Sequence, residues 1–383
     1  MKRKPGQCDL SEPSFDIQRG CSPHRHQQLL LWEATIERSS PAMADANSNN
    51  LPVPPRPTFK QEWSAYNRAQ QNEKAQFQSL LHGLCQSIEE PPQTLGRPRV
   101  PMADIIFCAA VKVYSTVSGR RNTWELQQAK ERGYISKAIH YNTLSKYMER
   151  EDLTICLKHL ITQSAQPLNS VEVDFAVDSS GFSTGISQRW NQAKWGAVRI
   201  KYGDKQPNAV KVKDWVKLHI MCGVKTNIIT SVEVTGAHSN DHHSFAPLVE
   251  NTSQNFSIET VAADKAYSSY RNLQLVVSKD AMPFIAFKSN AKPQKQSPSV
   301  WKRMYHLYCY NRADFMRHYH KRSNVETTFS MIKAKFGDRL RSKTYPAQVN
   351  EVLCKVLCHN LCCLIQSMYE LGIDPTLGEE TTL

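Results

Sequence analysis

The chain has 383 residues, with 48 Lys and Arg against 35 Asp and Glu, so that its formal net charge is +13. This length allows two domains or one elaborated domain, and the positive charge favours a polyanionic partner without separating DNA from RNA or a membrane surface. Charged residues interrupt the longest apolar runs, and the N-terminus lacks the apolar segment of a signal peptide, so we expect a cytoplasmic protein and no membrane partner.

The 11 cysteines are an odd number without paired spacing, which favours reduced thiols over a disulfide framework. Cys354, Cys358 and Cys362 recur at helical spacing among leucines. This pattern predicts small buried side chains in a core helix, with a soft-metal site as the alternative.

Residues 1–57 are polar, and Ser, Asn and Pro cluster between Ser39 and Pro57. This composition predicts a disordered tail and linker. Met43 opens a segment that resembles many bacterial N-termini, from which we hypothesise that residues 1–42 are not part of the functional protein.

Residues 58–165 have a helical pattern, broken by a basic turn between Pro91 and Pro101. The predicted helices are Phe59–Gln86, Met102–Ser118, Thr123–Arg132 and Tyr141–Ser164. A helix-turn-helix interpretation makes Thr123–Arg132 the supporting helix and Asn142–Arg150 the reading helix, and the alternative is an ordinary helical packing module.

Residues 166–345 read as alternating strands and helices. A strand from Val171 ends at Asp178, and another from Ile258 to Ala263 stops at Asp264. The other predicted elements are a hairpin of Asp214–Gly223 and Ile228–Thr235, a helix from His242 to Glu250 capped by Asp241, a helix over Ser269–Ser278 and a strand over Met282–Phe287.

The stretch Tyr319–Lys333 lies in a run from Asn311 to Phe336 that has no Pro or Gly and is therefore predicted to be one helix. At about 100° per residue, Tyr319, Arg322, Glu326 and Lys333 share an arc of about 60°. An apolar stripe beside them would bury the helix and hold Glu326 at the edge of a core. Its members are Val325, Phe329, Ile332 and Phe336.

The spacing Tyr, two residues, Arg, three residues, Glu, six residues, Lys resembles the signature of the DDE transposases of bacterial insertion sequences. With Val-Asp-Ser-Ser-Gly-Phe and Ala-Asp-Lys-Ala-Tyr, the resemblance covers roughly residues 171–371. It implies an α/β, RNase H-like catalytic domain with a mixed sheet, preceded by a helical DNA-binding region. Residues 346–383 are then predicted to form a C-terminal helix that packs on the catalytic domain.

Phosphodiester cleavage is commonly assisted by two divalent ions, and such hard ions prefer carboxylate oxygen. Asp178, Asp264 and Glu326 are the predicted catalytic metal ligands, for Mg²⁺ or Mn²⁺. The resemblance implies that Asp178 bridges both ions and that Asp264 and Glu326 hold one each.

The resemblance also implies that Arg322 and Lys333 contact phosphates of the transposon end and that Tyr319 stacks on a base or binds a phosphate. Lys321 and Lys335 belong to the same basic segment and are further predicted DNA contacts. The expected partners are double-stranded DNA, as inverted-repeat ends and as target, and a second copy in a homodimeric synaptic complex associated with the bacterial nucleoid. The alternatives are a transposase-derived DNA-binding protein without catalysis and an RNase H-like nuclease.

Overall fold

The computed structural model describes residues 62–90, 95–96, 98–184, 215–237, 239–293 and 296–375. All of them belong to one compact unit that spans residues 55–383. The tail predicted for residues 1–57 lies outside the described residues.

In the part of the chain that the structure describes, five α-helices precede the sheet: α1 Trp63–Gln86, α2 Met102–Tyr114, α3 Thr123–Glu131, α4 Tyr141–Tyr147 and α5 Glu151–Ala165. The single helix predicted for Tyr141–Ser164 is wrong. Its break has a visible cause, because the Asn350 side chain donates to the carbonyls of Met148 and Arg150, at 2.9 and 3.1 Å.

The connection between α3 and α4 does not match a helix-turn-helix. It runs from Arg132 to His140, whereas that motif joins its helices by a turn of about 3–4 residues. Helix α4, which covers most of the predicted reading helix, has only 7 residues and ends at Tyr147. Any DNA contact by this region therefore has another geometry.

One mixed sheet forms the centre, with strands β1 Asp174–Thr184, β2 Trp215–Gly223, β3 Ile229–Gly236, β4 Thr260–Ala263, β5 Met282–Ile285 and β6 Arg339–Leu340. Its order is β3-β2-β1-β4-β5, with β6 paired to the far end of β1. The hairpin β2–β3 is antiparallel, and β4 and β5 run parallel to β1. The predicted RNase H-like α/β class with a mixed sheet is confirmed.

The later helices are α6 His242–Asn255, α7 Tyr270–Val277, α8 Ser299–Tyr310, α9 Arg312–Tyr319, α10 Ser323–Phe336 and α11 Tyr345–Leu371. The one helix predicted for Asn311–Phe336 is wrong, because a 3₁₀ turn at His320–Arg322 separates α9 from α10. From this turn Lys321 reaches Asp174 and Arg322 reaches Asp178, so consecutive side chains both bind β1. Helix α8 was not expected.

Helix α11 contacts α1, α2 and α5 as well as strands β2 and β3. Asn360 shows this placement, since its side chain donates to the carbonyls of Ile161 on α5 and Ile229 on β3. Cys354 and Cys358 are buried, as predicted, whereas Cys362 is only partly buried. By length and composition α11 could cross a membrane, but 78% of its most apolar stretch is buried inside the protein, as in a core helix.

Candidate active site

Asp178 and Asp264 are neighbours because β1 and β4 pair in parallel. Val177 lies opposite Ala263, so each aspartate directly follows a paired residue. The prediction that Asp178 ends its strand is wrong: β4 stops there, but β1 continues to Thr184 because β2 and β6 go on pairing with it. Asp178 is therefore the first residue of β1 beyond the end of β4.

Glu326 reaches the same region from α10. The apolar side of this helix is buried as predicted, at Val325, Phe329, Ile332 and Phe336. Thr328, also fully buried, donates to the side chain of Asn227 at 3.2 Å and lies 3.6 Å from the Cys222 sulfur of β2. These contacts hold the helix against the sheet while the Glu326 side chain remains 58% exposed.

Arg322 joins two of the three predicted ligands. Its Nη1 lies 3.0 Å from Asp178 Oδ2, and its Nη2 lies 2.7 Å from Glu326 Oε1. The guanidinium carbon is 5.9 Å from the centre of the Tyr319 ring. The structure thus brings Tyr319, Arg322 and Glu326 of the spaced signature together with Asp178, despite the interruption of the helix.

The charges of this cluster act on one another. Burial raises the pKa of Asp178, and although the Ser179 N–H and the Arg322 guanidinium lower it, Asp264 and Glu326 act with burial. Burial lowers the pKa of Arg322, but Tyr319 and the three acids outweigh that effect and raise it. All three carboxylates therefore lie within electrostatic range of one guanidinium.

The fit of a divalent ion depends on this guanidinium. Within the described residues, no three His, Cys, Asp or Glu side chains are arranged to hold a metal ion as they stand. Arg322 nevertheless binds Asp178 and Glu326 as a shared cation. The half-buried Asp264 carboxylate is beside them and makes no hydrogen bond or ion pair in the described part of the chain. The donor set suits Mg²⁺ or Mn²⁺, with a guanidinium as the stand-in cation.

The predicted DNA-binding lysines differ in how their charge is used. Lys333 Nζ lies 2.6 Å from the hydroxyl of Ser180, a neutral partner on β1, and 5.4 Å from the centre of the Phe182 ring. Lys321 forms an ion pair with Asp174 at 2.7 Å. Lys335 forms an ion pair with Glu73 of α1. Among the described residues, Lys333 is thus the one of these three lysines whose ammonium group has no carboxylate partner.

Sequence reasoning missed the serines that follow Asp178. The Ser179 N–H donates to Asp178 Oδ1 at 2.8 Å, and its hydroxyl lies 3.2 Å from Asp241 Oδ2. Asp241 occupies the N-cap position of α6, but the prediction that it caps the helix is wrong, because its carboxylate binds Lys217 Nζ at 2.7 Å instead. The run Asp-Ser-Ser-Gly was the available signal, since serines beside a buried acid often serve as its hydrogen-bond partners.

In the comparison with protein families, the model described as the transposase DDE domain matches residues 169–361. This range starts before β1 and ends within α11, so it contains all three predicted ligands and the whole sheet. The comparisons with curated proteins and with solved structures gave no match.

Proposed function

The chain belongs to the DDE transposase family, whose model matches residues 169–361, and we propose that it binds the ends of a DNA element and catalyses metal-dependent strand cleavage and strand transfer. The observation that carries this proposal is the meeting of three carboxylates from separate elements. Asp178 and Asp264 follow paired residues of parallel strands, and Glu326 faces Asp178 across the Arg322 guanidinium.

We assign Asp178, Asp264 and Glu326 as the ligands of Mg²⁺ or Mn²⁺. Ions held there would activate the attacking water or 3′-hydroxyl and stabilise the leaving oxygen. The protein contributes rigidity, because Asp178 pairs with Ile220 of β2 and directly follows the last residue that pairs with β4, and because α10 is anchored by its buried face. The Ser179 N–H fixes one oxygen of Asp178, which leaves the other for exchange between cations.

The DNA contacts we propose start from Lys333 and Arg322, with Tyr319 beside them. Lys333 is half-buried and its pKa is lowered by burial against the opposing effect of Asp338, so a phosphate would stabilise its charge. Lys321 and Lys335 extend the basic surface, although each first has to share its charge with an acid of the protein. The helical region before the sheet and a second copy of the chain complete the proposed assembly on end and target DNA.

The second candidate is a DNA-binding protein derived from a transposase and no longer catalytic. The Arg322 bridge favours it, because a guanidinium that stayed between Asp178 and Glu326 would keep a metal ion out. A nuclease with the same fold would cleave DNA without needing a specific end sequence or joining strands.

Cleavage of the element's own ends tests the proposal, with the DNA that flanks the gene as substrate and Mn²⁺ as the ion. We expect Asp178→Asn, Asp264→Asn and Glu326→Gln each to abolish cleavage, since the three carboxylates act as one site. Asp314→Asn is the matched control, because Asp314 pairs with Arg317 on α9 and is not a proposed ligand. Absence of cleavage by the unsubstituted protein would favour the binding protein instead.

A further inference from the structure

Arg322 is bound to two proposed metal ligands at once, which makes it more than a basic residue near DNA. We infer that it is an exchangeable counter-ion: a divalent ion that binds Asp178 and Glu326 displaces the guanidinium, which then binds a DNA phosphate. Metal and DNA would consequently bind with positive cooperativity that depends on Arg322. This inference rests on the proposed function, since it requires the carboxylates to be a metal site.

The geometry makes the two cations competitors. Asp178 Oδ1 accepts the Ser179 N–H, and Oδ2 is the oxygen that accepts Arg322 Nη1. The other terminal nitrogen of the same guanidinium holds Glu326 Oε1. A divalent ion and a guanidinium cannot occupy the space between these two oxygens together, because both are cations that need the same lone pairs.

The displaced guanidinium can reach solvent, where a DNA phosphate would bind it. The Arg322 side chain is 23% exposed, and it leaves the chain at the end of the 3₁₀ turn, before α10 begins. When a metal ion binds Asp178 and Glu326, the half-buried Arg322 guanidinium loses both of its carboxylate partners. A phosphate that approaches beside Tyr319 and Lys333 would restore a charge-assisted pair, which for Arg and phosphate is commonly bidentate.

By thermodynamic linkage, metal and DNA must change each other's affinity for the protein by the same factor. If metal binding frees Arg322 for DNA, then DNA that captures Arg322 must raise the affinity for metal by the same factor. Such couplings are typically about 5–150-fold. Removing Arg322 should therefore weaken DNA binding and also abolish the dependence of DNA affinity on metal.

The experiment measures the affinity of the full-length protein for a labelled mixed-sequence duplex, in Ca²⁺ and in EDTA at matched ionic strength. Ca²⁺ is the probe because it binds carboxylates and keeps the DNA uncut. We expect Ca²⁺ to tighten binding by the wild-type protein about 5-fold or more. For Arg322→Ala the ratio of the two affinities should fall to about 1.

Lys333→Ala is the matched control, since it removes one positive charge from the same surface but leaves the Arg322 bridge intact. It should weaken DNA binding in both conditions and keep the wild-type ratio. A wild-type ratio in Arg322→Ala would show that the effect of Ca²⁺ on DNA affinity does not pass through Arg322, and would overturn the exchange. Arg322→Gln, which keeps length and hydrogen bonding, replaces the alanine variant if the latter melts at a lower temperature.

Titration of Ca²⁺ without DNA, followed by calorimetry, gives the second arm. Arg322→Ala should bind Ca²⁺ more tightly than the wild type does, because it removes the cation that competes for Asp178 and Glu326. The gain should be larger than in Lys333→Ala, which removes a positive charge but no competitor. Equal gains in both variants would contradict the exchange while leaving the metal site in place. If Asp178→Asn and Glu326→Gln bind Ca²⁺ as the wild type does, the metal site and the proposed function both fail.

Discussion

Helices α10 and α11 both pack beside the sheet, but they use their polar side chains differently. On α11, Asn350, Lys355 and Asn360 are buried and bind main-chain carbonyls. On α10 and the turn before it, Arg322 and Glu326 bind side chains instead. A carbonyl in a strand or helix end has a fixed position, whereas an ion pair between side chains can exchange its partners.

The polar side chains of α11 stabilise the fold, whereas those around Glu326 belong to the candidate active site. Lys355 donates to the carbonyls of Gly337 and Arg339 and thereby ties the end of α10 to α11, and burial lowers its pKa. Its charge is used to hold the fold. The charges around Glu326 are partly exposed on the same fold, and on our proposal a metal ion or a phosphate replaces their present partners. We therefore expect substitutions of the buried polar residues on α11 to act on stability, and substitutions of Arg322 and Glu326 to act on activity.

The largest effect should follow from removing residues 1–165, which include helices α1 to α5. A fragment of residues 166–383 would expose the side of α11 that contacts α1, α2 and α5. Because an apolar side chain contributes about 1.5–3 kcal/mol when buried, loss of several such contacts exceeds the stability of a typical domain. We expect the fragment to lack a cooperative thermal transition by circular dichroism. A folded fragment would show that α11 needs only the sheet.

A single substitution on α11 should come next. Asn360 donates to Ile161 and Ile229, and its Oδ1 accepts the Ile229 N–H at 2.9 Å. Asn360→Leu removes these hydrogen bonds to buried groups of two elements, for a loss of about 3 kcal/mol in the free energy of unfolding. Chemical denaturation measures it. Gln366→Leu, which loses an exposed bond to Glu370 on the same helix, should change stability by about 0.5 kcal/mol or less.

The sequence predicted the parts of this arrangement that depend on local pattern. The strand ahead of Asp178 and the one that stops at Asp264 were recognised by their apolar residues, and parallel pairing then brings the two acids together. The apolar stripe of α10 was equally visible. The 3₁₀ turn before α10 was not visible in the sequence, because Lys321 and Arg322 bind acids of β1 that are far away in the sequence.

The basic segment that contains Lys321, Lys333 and Lys335 is visible in the sequence, but the partners of these side chains are not. Lys321 and Lys335 belong to a run with a clear basic excess, but Asp174 and Glu73 offset them from other parts of the chain. Such pairing depends on tertiary contact. The basic excess in the sequence therefore predicts a polyanionic partner. The structure adds that Lys333 is the lysine whose ammonium group binds a neutral hydroxyl.

Lys335→Ala should have a smaller effect on stability than Asn360→Leu. The ion pair of Lys335 with Glu73, which also accepts the Tyr114 hydroxyl at 2.6 Å, joins α10 to α1 and α2. Lys335→Ala should reduce stability by about 1 kcal/mol, since the pair is partly screened by solvent. The salt dependence of DNA binding should hardly change, whereas Lys333→Ala should lower its slope by about 1. Equal slopes for the two variants would mean that Lys335 leaves Glu73 for a phosphate.

The smallest effect on stability should come from Glu326→Gln. This side chain is 58% exposed and its ion pair with Arg322 is at the surface, so its loss should change the free energy of unfolding by about 0.5 kcal/mol or less. Cleavage should nevertheless disappear, because Gln keeps the shape of the side chain but not the charge that a divalent ion requires. Denaturation and Mn²⁺-dependent cleavage, measured on the same preparation, test both halves. A large loss of stability would mean that Glu326 holds the fold as Asn360 does, and the division between the two helices would then be wrong.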